Sequence, residues 1–291
     1  MDEPGIPELL RDHARTFALT LQLLPVSLRE PLGIAYLLAR ASDTVADAGY
    51  VSREQRRESL WELEEALQAG NPDAWKPSIP VETLSPAEQE LIKAVPRLSK
   101  QMSRLPDQAE LLHLWRTIVA GHLFDLRSFS EVTAPLSRTE LEHYCYLVAG
   151  CVGESWTRLI AGHAPEVLKT DVSEMISLGC SYGKGLQLVN ILRDRTADHE
   201  IGRIYVEEKE ITGLFDLAET WLAEGLKYLS LLRPGRILYA TALPHDLALR
   251  TLRCIRNHPE AERVKVSRAT VYGLLAKGVV SLWLPRRGNP A

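Results

Sequence analysis

Apolar residues recur at three- and four-residue steps along almost the whole chain, in segments rich in Leu, Ala, Arg and Glu. That is the period of an α-helix, and no segment shows the period of two that a half-buried strand needs. The pattern breaks where Pro and Gly gather: near Pro25, at 69–80, at Leu105–Pro106, and at 133–135, 162–166, 233–236 and 257–262. Roughly eight to ten helices follow, several longer than twenty residues. The expected fold class is all-α, a single helical domain over residues 1–291, with 69–87 as a surface loop that carries Trp75. A chain of 291 residues that is 45% apolar can bury a large core.

Two of these helices are not ordinary amphipathic ones. In the stretch 185–206, Gln187, Asn190, Asp194 and Asp198 fall within an arc of about 80° at helical spacing, while Leu186, Val189, Ile191 and Leu192 cover much of the rest. In 35–47, Tyr36, Arg40, Asp43 and Asp47 fall within about 60°, between Leu37, Leu38, Ala39 and Val45. Each stripe ends in two aspartates four residues apart, one above the other on one face. A single such pair is ordinarily a solvated surface feature. Two of them, each on an otherwise apolar helix, need compensation, because carboxylates facing an interior are costly unless neutralised. A hard cation such as Mg²⁺ supplies it, with phosphate oxygens and water completing its shell. Arg40, Arg193 and Arg203 stand near in sequence and offer planar forks to the same phosphates.

A third segment, 144–159, places Tyr144, Val148, Cys151 and Ser155 on one face, with Gly150 and Gly153 in mid-helix. Such glycines serve either close helix packing or close approach of an apolar ligand. A buried Tyr ring also stabilises a neighbouring cation.

Net charge −4 excludes a global positive field, so no nucleic-acid partner is expected. The opening MDEPGIPELL lacks the order of a secretory leader, and 271–285, the longest late apolar run, is interrupted by Lys277 and too short to span a bilayer. Cys145, Cys151, Cys180 and Cys254 show no metal-type spacing and read as buried, reduced thiols. A cytoplasmic protein is expected, with peripheral membrane contact if its ligands are greasy, and no obligate protein partner.

The segments HARTFALTLQLLP (13–25), YLLARASDTVAD (36–47), YCYLVAGCVG (144–153) and LQLVNILRDRTADHEIGRIY (186–205) resemble, in order, motifs of the squalene and phytoene synthase family. IVAGHLFDL (118–126) and ERVKVSR (262–268) are looser matches. The resemblance implies an isoprenoid synthase fold around a central cavity, with prenyl diphosphates as substrates. It implies that Asp43, Asp47, Asn190, Asp194 and Asp198 bind Mg²⁺. It places His13, Thr16, Tyr36, Arg40, Gln187, Asn190, Arg193 and Arg203 at the diphosphates and Tyr144 at the reacting carbons. Ala46 and Ala197 stand where the family often has Glu. The expected reaction is head-to-head condensation of two farnesyl diphosphates to squalene, with NADPH as hydride donor. The alternatives are dehydrosqualene or phytoene synthesis without hydride transfer, a class I terpene cyclase, and a non-catalytic helical assembly factor; the aspartates argue against the last.

Overall fold

The computed structural model describes residues 4–129 and 134–257; the 271–285 run and the 262–268 match lie outside them. Among the described residues there are eleven α-helices and no strand. They are α1 (Ile6–His13), α2 (Arg15–Leu23), α3 (Val26–Ala46), α4 (Arg53–Gln68), α5 (Pro86–Met102), α6 (Gln108–Ser128), α7 (Arg138–Cys145), α8 (Cys151–His163), α9 (Val172–Glu200), α10 (Ile211–Ser230) and α11 (Arg236–Asn257). Serines that cap the helix and accept the third residue's amide begin α4, α5 and α7 at Ser52, Ser85 and Ser137. Gln55, Glu88 and Glu140 reach back in each case, so two otherwise unpaired amides are satisfied at each start.

The apolar stripes meet in one large cluster built from α1 to α6, α8 and α11, and a second built from α6, α7, α9, α10 and α11. Leu37, Leu38, Ala41 and Val45 of α3 are fully enclosed, as is Leu188 of α9. The 69–85 connection includes two short 3₁₀ turns and is fixed by the buried Trp75, whose indole N–H donates to the Ser59 carbonyl at 3.1 Å. No described helix is long and apolar enough to cross a membrane. All four cysteines are free; Cys145 and Cys151 are buried, whereas Cys180 and Cys254 are half-buried, short of the expectation.

In the third segment Gly153 packs against α9 and also lines the cavity described below. A Cβ on Gly153 would sit 1.9 Å from the Gly179 carbonyl oxygen, and one on Gly183 would sit 2.1 Å from that of Ala149. The α8 and α9 backbones therefore touch at positions where only hydrogen fits.

One turn of π-helix, Tyr146–Gly150, joins α7 to α8. It adds a residue to the turn and so moves the phase of everything after it. Tyr144 and Val148 face the cavity described below, but the face continues through Val152 and Trp156. Cys151 is enclosed in the first core cluster, and Ser155 donates to Glu110. The expectation that Cys151 and Ser155 share the Tyr144 face is corrected by that inserted residue.

Candidate active site

Helices α3, α6, α8 and α9 wall a cavity of about 930 Å³. Its α3 wall carries Tyr36, Arg40 and Asp43, with His13 beside them. The Tyr36 hydroxyl donates to the His13 carbonyl at 2.9 Å, and His13 Nε2 lies 3.1 Å from the Ala87 carbonyl. Burial lowers the pKa of His13, so the ring is held neutral with Nε2 as donor. Arg40 pairs with Asp43 and lies 3.8 Å from Glu88, the residue that also caps α5. The hydrogen bond from Ser85 lowers the pKa of Glu88, which keeps it an anion facing Arg40. His122 of α6 places Nε2 3.8 Å from Asp43, and its buried Nδ1 has no hydrogen-bond partner among the described residues. The Thr16 side chain lies outside the described residues.

The α9 wall carries Gln187, Asn190 and Arg193. Asp194 is gripped by its neighbour Arg193, whose Nε donates at 2.9 Å. Beyond Asp198 the helix ends at Gly202, which takes φ +77°. The amide of Gly202 donates to the His199 carbonyl at 3.0 Å and that of Arg203 to the Asp198 carbonyl at 2.8 Å. This glycine-dependent helix stop reverses the chain and aims Arg203 back across the site. One Arg203 terminal nitrogen donates to Asp47 at 2.7 Å, and its Nε lies 3.0 Å from Asp125 of α6. Burial works against the charge of Arg203, but Asp125 and Asp47 outweigh it and hold the guanidinium protonated. Arg203 thus ties the end of α9 to the end of α3.

The four aspartates do not all open onto the large cavity. Asp43 does; Asp47 sits at the end of α3 under Arg203. Asp198 lines a separate cleft of about 250 Å³ with Arg195, His199, Arg203 and Tyr205. Burial pushes the Asp198 carboxyl up to about 6, opposed by Arg203 and reinforced by Asp194, Asp125 and Asp47. Desolvation outweighs the pull of Arg203, so the carboxylate form is costly there without a further cation. Among the described residues no three His, Cys, Asp or Glu side chains approach closely enough to hold a metal ion by themselves. Magnesium typically takes one or two carboxylates and completes its shell with water and phosphate oxygens, so paired aspartates suit an ion that arrives with a diphosphate.

Tyr144 lines the cavity with an aromatic stack behind it. Tyr144 stacks on Tyr205 with centroids 5.1 Å apart and on Phe124 at 6.0 Å. Tyr205 and Asp125 are functional neighbours that spacing alone did not single out. Asp125 lies on the same apolar stripe of α6 as Leu111, Trp115 and Ile118, and an acid on a buried stripe is the signal that could have found it. Lys184, one turn before Gln187, lies over the Trp221 ring, 4.2 Å from its centroid.

The all-helical architecture, built around a largely apolar cavity with Arg40, Asp43, Asn190 and Arg193 among its lining, is the isoprenoid synthase fold. The family model for squalene/phytoene synthases matches residues 10–212, and the chain belongs to that family. It is 25% identical over 277 residues to the squalene synthase of Mus musculus, covering 86% of this chain and 63% of that protein. It is 27% identical over 230 residues to the phytoene synthase of Arthrospira platensis, covering 75% and 64%. The chain therefore spans under two thirds of the length of these relatives. The structure of TcSQS with the ligand BPH1237 superposes with a TM-score of 0.75 at 19% identity, covering 94% of this chain and 85% of that one; it shares the fold.

Proposed function

We propose that this protein joins two farnesyl diphosphates head to head and forms squalene through a cyclopropyl diphosphate intermediate. The observation that carries the reading is the single cavity that presents Arg40, Asp43, Asn190 and Arg193 at polar positions and Leu114, Ile118, Val148, Val152 and Trp156 elsewhere. Diphosphate and prenyl chain find their complements in one enclosure.

In this reading Arg40, Arg193 and Arg203 exchange their carboxylates for diphosphate oxygens, in the bidentate geometry guanidinium favours. Asp43, Asp47, Asn190, Asp194 and Asp198 would hold Mg²⁺, which when bound supplies positive charge to the departing diphosphate. Heterolysis of the first C–O bond leaves an allylic cation. The double bond of the second chain attacks it, and loss of one proton closes the cyclopropane. Departure of the second diphosphate and rearrangement give a cation that hydride or proton loss ends. The apolar walls keep water from trapping either cation as an alcohol. Tyr144 faces the reacting carbons, where its ring and hydroxyl oxygen stabilise positive charge.

NADPH is inferred as the hydride donor. The glycines of GCVGES are packed against α9 and offer its phosphates no cradle, so no residue is assigned to it. Incubation with farnesyl or geranylgeranyl diphosphate and Mg²⁺, with and without NADPH, tests the proposal. Squalene from farnesyl diphosphate with NADPH is expected. Dehydrosqualene or phytoene would move the assignment to the carotenoid branch, and no product from any prenyl diphosphate would overturn it.

A further inference from the structure

Behind Tyr144 a row of buried polar groups runs away from the cavity. The Tyr144 and Tyr205 hydroxyl oxygens lie 3.2 Å apart. Tyr205 donates to Oδ1 of Asp125, and Oδ2 of Asp125 lies 3.0 Å from Arg203 Nε. Tyr144, Tyr205 and Asp125 are 8%, 7% and 7% exposed. Burial raises the pKa of both tyrosines, so each keeps its one proton. Burial also raises that of Asp125 while Arg203 opposes it; a donor at each oxygen selects the ionised form.

These partners fix the direction of the chain. An ionised carboxylate only accepts, so Tyr205 spends its proton on Asp125 and can offer Tyr144 nothing but a lone pair. Tyr144 therefore donates to Tyr205, and what it presents to the cavity is oxygen lone pairs. With the polarity reversed, its O–H would point positive charge at the cavity.

We propose that Asp125 is a positioning residue that sets the direction of the Tyr144 hydroxyl, so that a cation in the cavity meets the negative end of its dipole. Arg203 links that setting to Asp47 on α3. The proposal rests on the reading of Tyr144 as the residue facing the reacting carbons.

Asp125→Asn breaks the polarity without changing size. Its carbonyl oxygen turns to Arg203, and its NH₂ then donates to Tyr205. Tyr205→Phe keeps the stacked ring and removes the relay hydroxyl, so it carries the test if the Asn variant fails to fold. With ¹³Cζ-labelled tyrosine, the Tyr144 resonance, identified by its loss in Tyr144→Phe, is expected to shift in both variants. On farnesyl diphosphate both are expected to lose kcat roughly tenfold or more with KM little changed. Adding Asp125→Asn to Tyr144→Phe should cost nothing further, because the hydroxyl it directs is gone. An unmoved Tyr144 resonance, a wild-type kcat, or losses that multiply in the double variant would overturn the proposal. A wild-type protein inert toward every prenyl diphosphate would sink the proposed function instead, and the resonance would still decide the role of Asp125.

Discussion

Asp198 is the site aspartate whose ionised form burial penalises. Its carboxyl is pushed up to about 6 by burial and by neighbouring aspartates, against an ordinary value of about 3.9 in an unfolded chain. A carboxyl raised on folding penalises the folded state wherever it is ionised there. The penalty is in full force above pH 6, fades as pH falls through 6, and is gone below about 4. Asp198→Asn is therefore expected to raise the melting temperature of metal-free protein at pH 8 and to lose most of that advantage by pH 4.5; a variant less stable at pH 8 would contradict the assignment. Asp43 and Asp194 are different. Each is half-exposed and already paired with an arginine, and such pairs contribute about 0–1 kcal/mol. Asp43→Asn and Asp194→Asn are expected to leave urea unfolding nearly unchanged and to remove most turnover, about a hundredfold or more. Turnover within a few-fold of wild type in either would remove that residue from the proposed site. Both aspartate pairs were legible because each sits on a helix whose other faces are apolar. Asp125 and Tyr205 were not, because their roles depend on a chain reversal at Gly202 that brings Tyr205 back to α6.

At the scale of elements, period and punctuation gave the helical class, and the Pro and Gly clusters gave most breaks. The breaks that escaped have no Pro: Ala14 between α1 and α2, and the residues after Asp47 and Glu200. The π-turn at Tyr146–Gly150 escaped for a related reason, since an inserted residue leaves no mark in a sequence read at a fixed 100°. It decides that Val152 and Trp156, not Cys151 and Ser155, continue the cavity wall. The mid-helix glycines carry two meanings in the sequence, and Gly153 keeps both, since it touches the α9 backbone and lines the cavity. Gly183→Ala must push α9 off the Ala149 carbonyl, and Gly153→Ala must do the same at Gly179. Each is expected to destabilise the fold by about 1–3 kcal/mol or more in urea unfolding. Gly162→Ala, also on α8, meets nothing within 4 Å and is expected to stabilise by about 0.5–1 kcal/mol through helix propensity. Equal effects at Gly162 and Gly183 would contradict the packing described.

For the whole molecule, the decisive arrangement is two helices distant in sequence that contribute to one enclosure. Residues of α3 and α9 line the same cavity, and Arg203, on the turn after α9, reaches Asp47 across the site. Sequence spacing could show that each helix has a polar stripe; only the packing of α6, α8 and α11 decides that the stripes belong to one site. In the proposed reaction the product would depend on the cavity as a whole, its depth and what quenches the last cation, which is why no single motif names it. The most direct measurement is a crystal structure with Mg²⁺ and a non-ionising thio analogue of farnesyl diphosphate. Metal and diphosphate held jointly by Asp43 and Asp47 and by Asp194 and Asp198 are expected, with the prenyl chains against Tyr144, Val152 and Trp156. Metal absent from both aspartate pairs, or prenyl chains lying outside the cavity, would contradict the proposed site.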